Sequence, residues 1–218
     1  MIDRKSNPTS LCVLQRIQQG PNTQVWTPQD FFDLGNYDSI KKSLQRLVNN
    51  KKLRRIDRGL YDQYRINSLT GQLAPPDYRM IINAIIRRDN IRILVDGLTA
   101  ANELGLTNAV PAKVVVHTDA RLQPIQLDKL IIQFKLTAPS KLYWAGHPAM
   151  RLIQALYWLR DGLKKGSLID EKIIQIKILQ LLQTPKQGDI MLDDLKQGLH
   201  AIPFWMQNWI SNLLKQAK

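Results

Sequence analysis

Eight basic residues fall within an eighteen-residue segment, opposed only by Asp57. They are Lys41, Lys42, Arg46, Lys51, Lys52, Arg54, Arg55 and Arg58. The segment therefore carries a net charge of +7, more than half of the formal +13 of the 218-residue chain. Lysine and arginine form ion pairs with phosphate and donate hydrogen bonds to guanine O6 and N7. The cluster predicts nucleic-acid binding; the alternative is a basic face that only keeps a small domain soluble.

The elements around this cluster are predicted in the order helix, helix, helix, hairpin. Apolar residues recur at helical spacing over 11–17, and again over 40–48 with polar residues on the other side. Thr27 and Pro28 are typical of a helix start, which predicts a short second helix ending near Gly35. Strand-like runs at 53–56 and 60–64 flank a turn containing glycine. This order predicts a winged helix-turn-helix.

The placement of the basic residues in this motif predicts their contacts. The third helix of a winged helix-turn-helix lies in the major groove, with its N-terminal residues toward base edges. The turn after that helix and the wing are expected at phosphates or the minor groove. The predicted DNA-binding residues are Asn36, Tyr37, Ser39, Lys41, Lys42, Gln45, Arg46, Lys51, Lys52, Arg54, Arg55 and Arg58.

The rest of the chain predicts a second domain of mixed composition. Residues 1–66 form the predicted winged domain, 67–76 a linker rich in turn residues, and 77–218 a C-terminal α+β domain with a helical end. Within that domain we expect helices at 77–88, at 99–104, from 147 onward and from 203 onward, with strands at 91–95, 113–118 and 130–136. Residues 173–182 fit a strand as well as a helix, and their length favours a helix. The predicted fold class is α+β.

Residue patterns typical of enzymes and metal sites are missing from the sequence. There is no glycine-rich phosphate loop and no Gly-x-Ser-x-Gly elbow, and the three histidines lack ligand spacing. Asp96 follows a predicted strand, but a nuclease needs a Glu-x-Lys partner on the next strand, which has no glutamate. Asp96 is therefore interpreted as a turn residue. We predict no enzyme activity, no catalytic residue, no metal and no cofactor.

Three further expectations concern packing and location. Cys12, the single cysteine, lies in an apolar run and is predicted to be a core residue. Asp193 and Asp194 are expected near a helix N-terminus, where acidic side chains interact favourably with the helix dipole. Four distal tryptophans either pack in a core or form an exposed patch for a partner; they are Trp144, Trp158, Trp205 and Trp209. No apolar run is long enough to span a bilayer, and no signal-peptide pattern is present, so we predict a soluble cytoplasmic protein.

Two stretches of sequence, taken in order, match the pattern of a known family. The first is Val25-Trp26-Thr27-Pro28-Gln29-Asp30-Phe31, followed by the segment from Asn36 to Tyr61. The second runs from Asp96 to Thr107, with Leu-Thr-Ala-Ala-Asn at its centre, and continues with Val-Pro-Ala-Lys from Val110. Together they resemble the AbiEi-like antitoxins of type IV, abortive-infection toxin–antitoxin systems. The resemblance covers residues 10 to about 140.

This resemblance implies both a function and partners. It implies a repressor that binds inverted repeats at its own promoter, with two molecules associating on the DNA. It also implies a C-terminal domain that counters a nucleotidyltransferase-type toxin, in many members without a stable complex. No membrane partner is expected. The alternatives are a stand-alone winged-helix regulator, a nucleic-acid-processing enzyme with a winged-helix targeting module, and an RNA-binding module.

Overall fold

A computed structural model describes residues 8–160 and 171–216 of the chain. These residues form two compact units. The first reaches from the N-terminal side to residue 91 and includes 125–129, and the second holds 92–124 and the residues after 129. Helices and two small sheets make up the described residues, which confirms the predicted α+β class.

Up to residue 91, the described part of the first unit contains three helices, one 3₁₀ turn and one hairpin, and its segment 125–129 holds a strand described below with the sheet that it joins. Their bounds are α1 Pro8–Gln19, the 3₁₀ turn Pro28–Phe31, α2 Tyr37–Asn49, β1 Arg54–Asp57, β2 Leu60–Asp62 and α3 Tyr78–Asp89. The predicted second helix is thus a single turn. Its start is as expected, since the backbone N–H of Thr27 donates to the Asp30 carboxylate at 2.7 Å. It ends at Phe31, where the backbone N–H of Phe32 donates to Gln29 O at 3.3 Å in the three-residue spacing of a 3₁₀ turn.

An apolar core joins α1, α2 and the hairpin. It consists of Val13, Ile17, Trp26, Phe31, Ile40, Leu44, Leu47, Leu53 and Tyr61. The predicted apolar face of α2 is confirmed, because Ile40, Leu44 and Leu47 are all buried. The prediction for Cys12 is wrong: this side chain is exposed. Helix α1 turns Val13 and Ile17 inward, and position 12 lies about 100° around the helix from position 13.

The β1–β2 hairpin is joined by a third extended segment. Arg54 pairs with Asp62 and Arg55 with Tyr61 across the antiparallel hairpin, whose turn contains Gly59 at a φ of +72°. Glycine suits this turn because other residues rarely adopt positive φ. Trp26 forms an antiparallel bridge to Tyr61, with backbone hydrogen bonds of 2.7 and 2.9 Å in the two directions. The predicted extended stretch before the 3₁₀ turn is thereby confirmed.

The predicted linker at 67–76 is a hydrogen-bonded hairpin loop. The backbone N–H of Asn67 donates to Gln72 O at 2.8 Å, and that of Ala74 donates to Arg65 O at 2.7 Å. The Asn67 side chain closes the turn by accepting from the N–H of Leu69 at 2.9 Å. An asparagine that bonds its own turn gives this segment a defined conformation despite its turn-rich composition.

Helix α3 belongs to the first unit, whereas the predicted boundary assigned it to the C-terminal domain. Two arginines explain the difference. Arg87 Nη2 donates to Val25 O at 3.1 Å, and Arg88 Nη1 donates to Arg58 O at 2.8 Å. In return, Gln29 Nε2 donates to Arg88 O at 2.9 Å. These bonds connect residues far apart in sequence, so composition around the linker could not reveal them.

The second unit combines a sheet with a helical C-terminal part. The elements after residue 91 are β3 Ile93–Val95, α4 Gly97–Glu103, β4 Lys113–Thr118, β5 Ile125–Leu127, β6 Leu130–Leu136, α5 Met150–Leu159, α6 Glu171–Leu182, α7 Gln187–Gly198 and α8 Phe204–Gln216. The strand order is β3-β4-β6-β5. Strands β3 and β4 are antiparallel, and β4 and β6 are parallel.

The Leu-Thr-Ala-Ala-Asn stretch forms part of α4 and packs against α5. Thr99, Ala100 and Ala101 are buried. A Cβ atom at Gly97 would lie 2.5 Å from the Trp158 Cβ, so only glycine permits this approach of the two helices. Asp96 precedes α4 and accepts a hydrogen bond from the Thr99 hydroxyl. The stretch that carries the family resemblance is therefore a packing motif here.

Several other predictions for the second unit can be compared with the structure. The ambiguous segment 173–182 is helical, as its length favoured. Helix α7 falls within the stretch from 147 onward that was predicted to be helical, although its bounds were not predicted, and strand β5 was not predicted. Because α7 begins at Gln187, Asp193 and Asp194 lie in its second half and not at its own N-terminus. Asp194 nevertheless accepts a hydrogen bond at 2.8 Å from the backbone N–H of Ala149, the N-cap of α5, so it does lie at a helix N-terminus. No helix within 8–160 or 171–216 has both the length and the apolar character needed to cross a bilayer.

Candidate nucleic-acid interface

The exposed face of α2 holds four of the twelve predicted DNA-binding residues. Lys41, Lys42, Gln45 and Arg46 are all exposed, on the side opposite the buried leucines. Gln45 Nε2 donates to Asn49 Oδ1 at 2.9 Å, one turn further along the same face. Residues three and four positions apart are neighbours on a helix surface, so these side chains form one continuous strip. The structure thus brings these side chains together as predicted.

Three of the predicted residues lie at the start of α2 and differ in their surroundings. Asn36 is the N-cap, and its Oδ1 accepts a hydrogen bond from the backbone N–H of Ser39 at 2.9 Å. We therefore assign Asn36 to helix capping rather than to base reading. Ser39 itself is half-buried. Tyr37 is exposed, and the Lys41 Nζ lies 5.9 Å from the centre of its ring.

The turn after α2 and the hairpin add four exposed basic side chains. Lys51 and Lys52 lie in the turn, where Lys51 has a φ of +56°. Arg55 is on β1 and Arg58 is in the β1–β2 turn, and both are exposed. The backbone O of Arg58 is held by Arg88, which supports the turn from α3.

Arg54 differs from the other predicted residues. Its Nε and Nη2 donate to the two oxygens of Asp62 at 2.9 and 2.6 Å, and its Nη1 donates to Ala74 O at 3.0 Å. The Asp62 side chain is only 2% exposed, so the guanidinium neutralises a buried carboxylate. Arg54 therefore supports the base of the hairpin, and we remove it from the candidate interface.

The acidic residues of the first unit are distributed unevenly. Four of them form ion pairs with arginines: Asp33 with Arg16, Asp62 with Arg54, Asp30 with Arg87 and Asp89 with Arg88. Of the eight basic residues between 41 and 58, all except Arg54 have no ion-pair partner among the residues that the structure describes. We call these seven the basic surface: Lys41, Lys42, Arg46, Lys51, Lys52, Arg55 and Arg58. Uncompensated positive charge on one helix and one hairpin attracts polyanions.

One exposed aromatic residue was missed by the sequence reasoning. Phe32 is 48% exposed and lies beside Tyr37, with the ring centres 6.2 Å apart. Phe31 and Phe32 were both predicted to lie in the same short helix, with no difference in exposure between them. Two adjacent residues in a single turn cannot both face the core, and Phe31 is fully buried. The Phe-Phe pair was the available indication that one ring is exposed.

Two of the three histidines, His147 and His200, pack against the Tyr143 ring, with ring centres 5.0 and 5.5 Å from its centre, whereas His117 lies on β4. His117 Nδ1 lies 3.0 Å from the Thr137 hydroxyl, and burial lowers the pKa of His117. His147 Nδ1 is 2.7 Å from Asp194 Oδ1, and His200 Nδ1 is 3.0 Å from Gln197 O. Among the described residues, no three histidine, cysteine or acidic side chains are grouped as metal ligands would be.

The four distal tryptophans differ in exposure and surroundings. Trp144 is buried and packs edge-on against Tyr143. Trp158 is partly exposed on α5, although its Cβ lies against Gly97. Trp205 lies under the Arg160 guanidinium, and Trp209 Nε1 donates to Glu171 at 3.0 Å.

A comparison with known families covers most of the chain. A model of a family of unknown function, DUF6088, matches residues 12–190. The chain belongs to the DUF6088 family. The match includes the basic surface and continues through α6 of the second unit, so both units of this DUF6088 member fall within the family pattern.

Other comparisons are more distant. No curated protein matches the sequence of this DUF6088 chain. Among solved structures, it is similar to the crystal structure of the RV2827C protein from Mycobacterium tuberculosis. The sequence identity is 16%, the TM-score is 0.41, and the alignment covers 99% of this chain and 79% of that one. A similarity of this size carries no argument about function.

Proposed function

We propose that this protein is a DNA-binding transcriptional repressor with a winged helix-turn-helix. In this proposal α1, the 3₁₀ turn and α2 form the helix-turn-helix, α2 is the recognition helix, and the β1–β2 hairpin is the wing. The element order supports it. So does the bridge between Trp26 and Tyr61, which adds the third extended segment on which such a wing rests. No enzyme activity is part of the proposal.

The basic surface is the observation that carries this proposal. Its seven residues are placed where such a domain meets duplex DNA: three on α2, two in the following turn and two on the hairpin. Four aspartates of the first unit pair with other arginines instead, whereas Asp38 on α2 and Asp57 on β1 lie beside the basic surface. Binding by such a surface gains most of its affinity from counterion release, and so it should weaken steeply as salt rises.

The proposal extends to the biological role through the family resemblance described above. We propose that the repressor is the antitoxin of a type IV toxin–antitoxin system, acting in the cytoplasm. It would bind inverted repeats at its own promoter and use its second unit to counter a nucleotidyltransferase-type toxin. An adjacent gene of the nucleotidyltransferase type tests this role directly. If coexpression of the chain fails to relieve growth arrest by that gene product, the antitoxin role is wrong.

The central test is a double substitution on α2, Lys41→Ala with Lys42→Ala. We expect affinity for the DNA upstream of the protein's own gene to fall at least about tenfold at physiological salt, because each good base contact contributes that much discrimination. A fluorescence anisotropy titration measures it. The matched control is Lys141→Ala with Lys215→Ala, which removes the same charge from exposed positions of the second unit. Equal losses in the two double variants would contradict the groove assignment.

The hairpin is tested separately by Arg58→Ala. Because a phosphate contact carries no sequence information, we expect binding to specific and unrelated duplexes to weaken by a similar factor. The same titration with both duplexes measures this. A loss confined to the specific duplex would show that the wing reads bases.

A competition experiment tests whether the ligand is duplex DNA or RNA. If structured RNA competes as effectively as duplex DNA, the proposal is contradicted, since a recognition helix does not fit the narrow A-form major groove.

A further inference from the structure

Two exposed aromatic rings lie side by side at the start of α2. Phe32 is 48% exposed and Tyr37 is 54% exposed, and their ring planes meet at 73°. The aromatic side chains in the core of the same unit, Trp26, Phe31 and Tyr61, are at most 5% exposed. Phe32 and Tyr37 form what we call the aromatic pair. It is an apolar spot at the edge of the basic surface.

The sequence around the aromatic pair accounts for its position. Phe31 occupies the core, so its neighbour in the 3₁₀ turn is left on the outside. Asn36 caps α2, which places Tyr37 in the first turn of the helix. Lys41 follows one turn later on the same side, with its Nζ 5.9 Å from the Tyr37 ring centre. The pair therefore adjoins the N-terminal end of the proposed recognition helix.

We propose that the aromatic pair contacts the C5-methyl group of a thymine in the major groove. This inference rests on the proposed DNA-binding function and adds a base preference to it. The N-terminal residues of a recognition helix are the ones that face base edges. The thymine methyl is the apolar group that base pairs present in the major groove. The positive charge beside the pair matches the phosphates that flank such a base.

The charge around the pair favours DNA over an apolar protein partner. Lys41 and Lys42 lie on the same helix within about one turn of Tyr37, and both are without an ion-pair partner among the described residues. An apolar protein surface covering the pair would also cover these charges and remove them from water, which is costly. A thymine in duplex DNA supplies the methyl group and the compensating phosphates together. The pair and the lysines then bind one ligand.

The experiment compares two duplexes that differ only in the methyl group. The DNA upstream of the protein's own gene is amplified once with thymidine and once with deoxyuridine triphosphate. Uracil keeps the pairing and the O4 acceptor and lacks only the methyl. For the full chain we expect about fourfold tighter binding to the thymine duplex, the contribution of one buried methyl-sized group. In Phe32→Ala and Tyr37→Ala this ratio should approach one.

The matched control is Leu69→Ala. Leu69 is 94% exposed in the 65–74 hairpin loop and has no place in the proposed contact. This variant should keep the wild-type ratio. Phe32 and Tyr37 are substituted separately, so a folding defect in one variant, visible by circular dichroism, leaves the other to decide. For each variant the measured quantity is the ratio of its affinities for the thymine and uracil duplexes. A variant that binds both duplexes equally more weakly therefore keeps the wild-type ratio.

Failure of this inference and failure of the proposed function give different results. If the wild-type chain binds both duplexes tightly and equally, the methyl contact is wrong and the repressor proposal stands. A ratio that persists in both aromatic variants would assign methyl recognition to other residues and also overturn the inference. If neither duplex binds at low salt, DNA binding itself fails, and the inference fails with it.

Discussion

Arginines of one compact unit fall into two groups that share chemistry and differ in their neighbours. Arg16, Arg54, Arg87 and Arg88 each form an ion pair with an aspartate. The three arginines and the four lysines of the basic surface have no such partner among the described residues. Counting positive charges along the sequence treats both groups alike. The two groups differ in whether an aspartate carboxylate lies within ion-pair distance of the side chain.

The two groups therefore have different consequences for binding. A guanidinium that already donates to a carboxylate must give up that pair before it can contact phosphate, and the carboxylate repels the incoming DNA. An unpaired lysine or arginine loses only mobile counterions. Within the unit, the paired arginines hold elements together, as Arg87 and Arg88 do for α3, and the unpaired residues remain available for a ligand.

The largest effect is expected from Arg54→Ala, which should lower the free energy of unfolding. Removing Arg54 leaves the buried Asp62 carboxylate without its partner, and breaking a buried pair in this way costs about 3 to 5 kcal/mol. Urea unfolding measures the loss. The folded fraction of the variant should bind DNA as the wild-type protein does. A stable variant with strongly reduced DNA affinity would place Arg54 in the interface after all.

The next effect is on salt dependence, in Lys51→Gln with Lys52→Gln. Each phosphate contact contributes about −0.9 to the slope of log affinity against log salt. We therefore expect the slope of the double variant to be shallower by about 2 if both lysines contact phosphate. Titrations at several salt concentrations measure it, and stability should change little because both side chains are exposed. An unchanged slope would exclude these two lysines from the interface.

The smallest effect is expected from Arg16→Ala and depends on pH. The hydrogen bond from Arg16 is the main reason that the pKa of Asp33 lies below its usual range. A lowered carboxylate pKa stabilises the fold at pH values above the ordinary aspartate pKa, and this contribution disappears as the pH falls through the folded value. The variant should thus melt slightly lower than wild type at pH 7, with the difference vanishing in acid.

DNA affinity provides the second readout for Arg16→Ala. Because Arg16 is paired and lies on α1, we expect binding at physiological salt to stay near the wild-type value. A loss as large as that of Lys41→Ala with Lys42→Ala would erase the distinction between paired and unpaired residues. Melting curves across the acid range and one titration suffice for this comparison.

Local patterns predicted those features that depend on neighbours in sequence. The apolar face of α2, its polar face and the hairpin after it follow from spacing, because a helix or hairpin places residues at fixed intervals. Cys12 and the 3₁₀ turn were misjudged for a related reason. A short apolar run does not say which of its residues faces inward, and a helix start does not say where the helix ends.

Contacts between distant residues could not be predicted in this way. The bond from Arg87 to Val25 spans 62 residues, and the Arg54–Asp62 pair depends on the register of a hairpin with a bulge. The role of Phe32 also depends on Phe31 filling the core first. Each of these requires knowing which elements meet, which the sequence pattern of a single element does not contain.

The sequence by itself therefore determined most of the helices and strands of this protein and the concentration of charge between residues 41 and 58. Both are local properties, set by backbone periodicity and composition. Only the tertiary structure decided which positive charges are compensated, that α3 belongs to the first unit, and that an aromatic pair adjoins the basic surface. These depend on packing between distant segments, where the partner of a side chain is chosen by the fold and not by its neighbours along the chain.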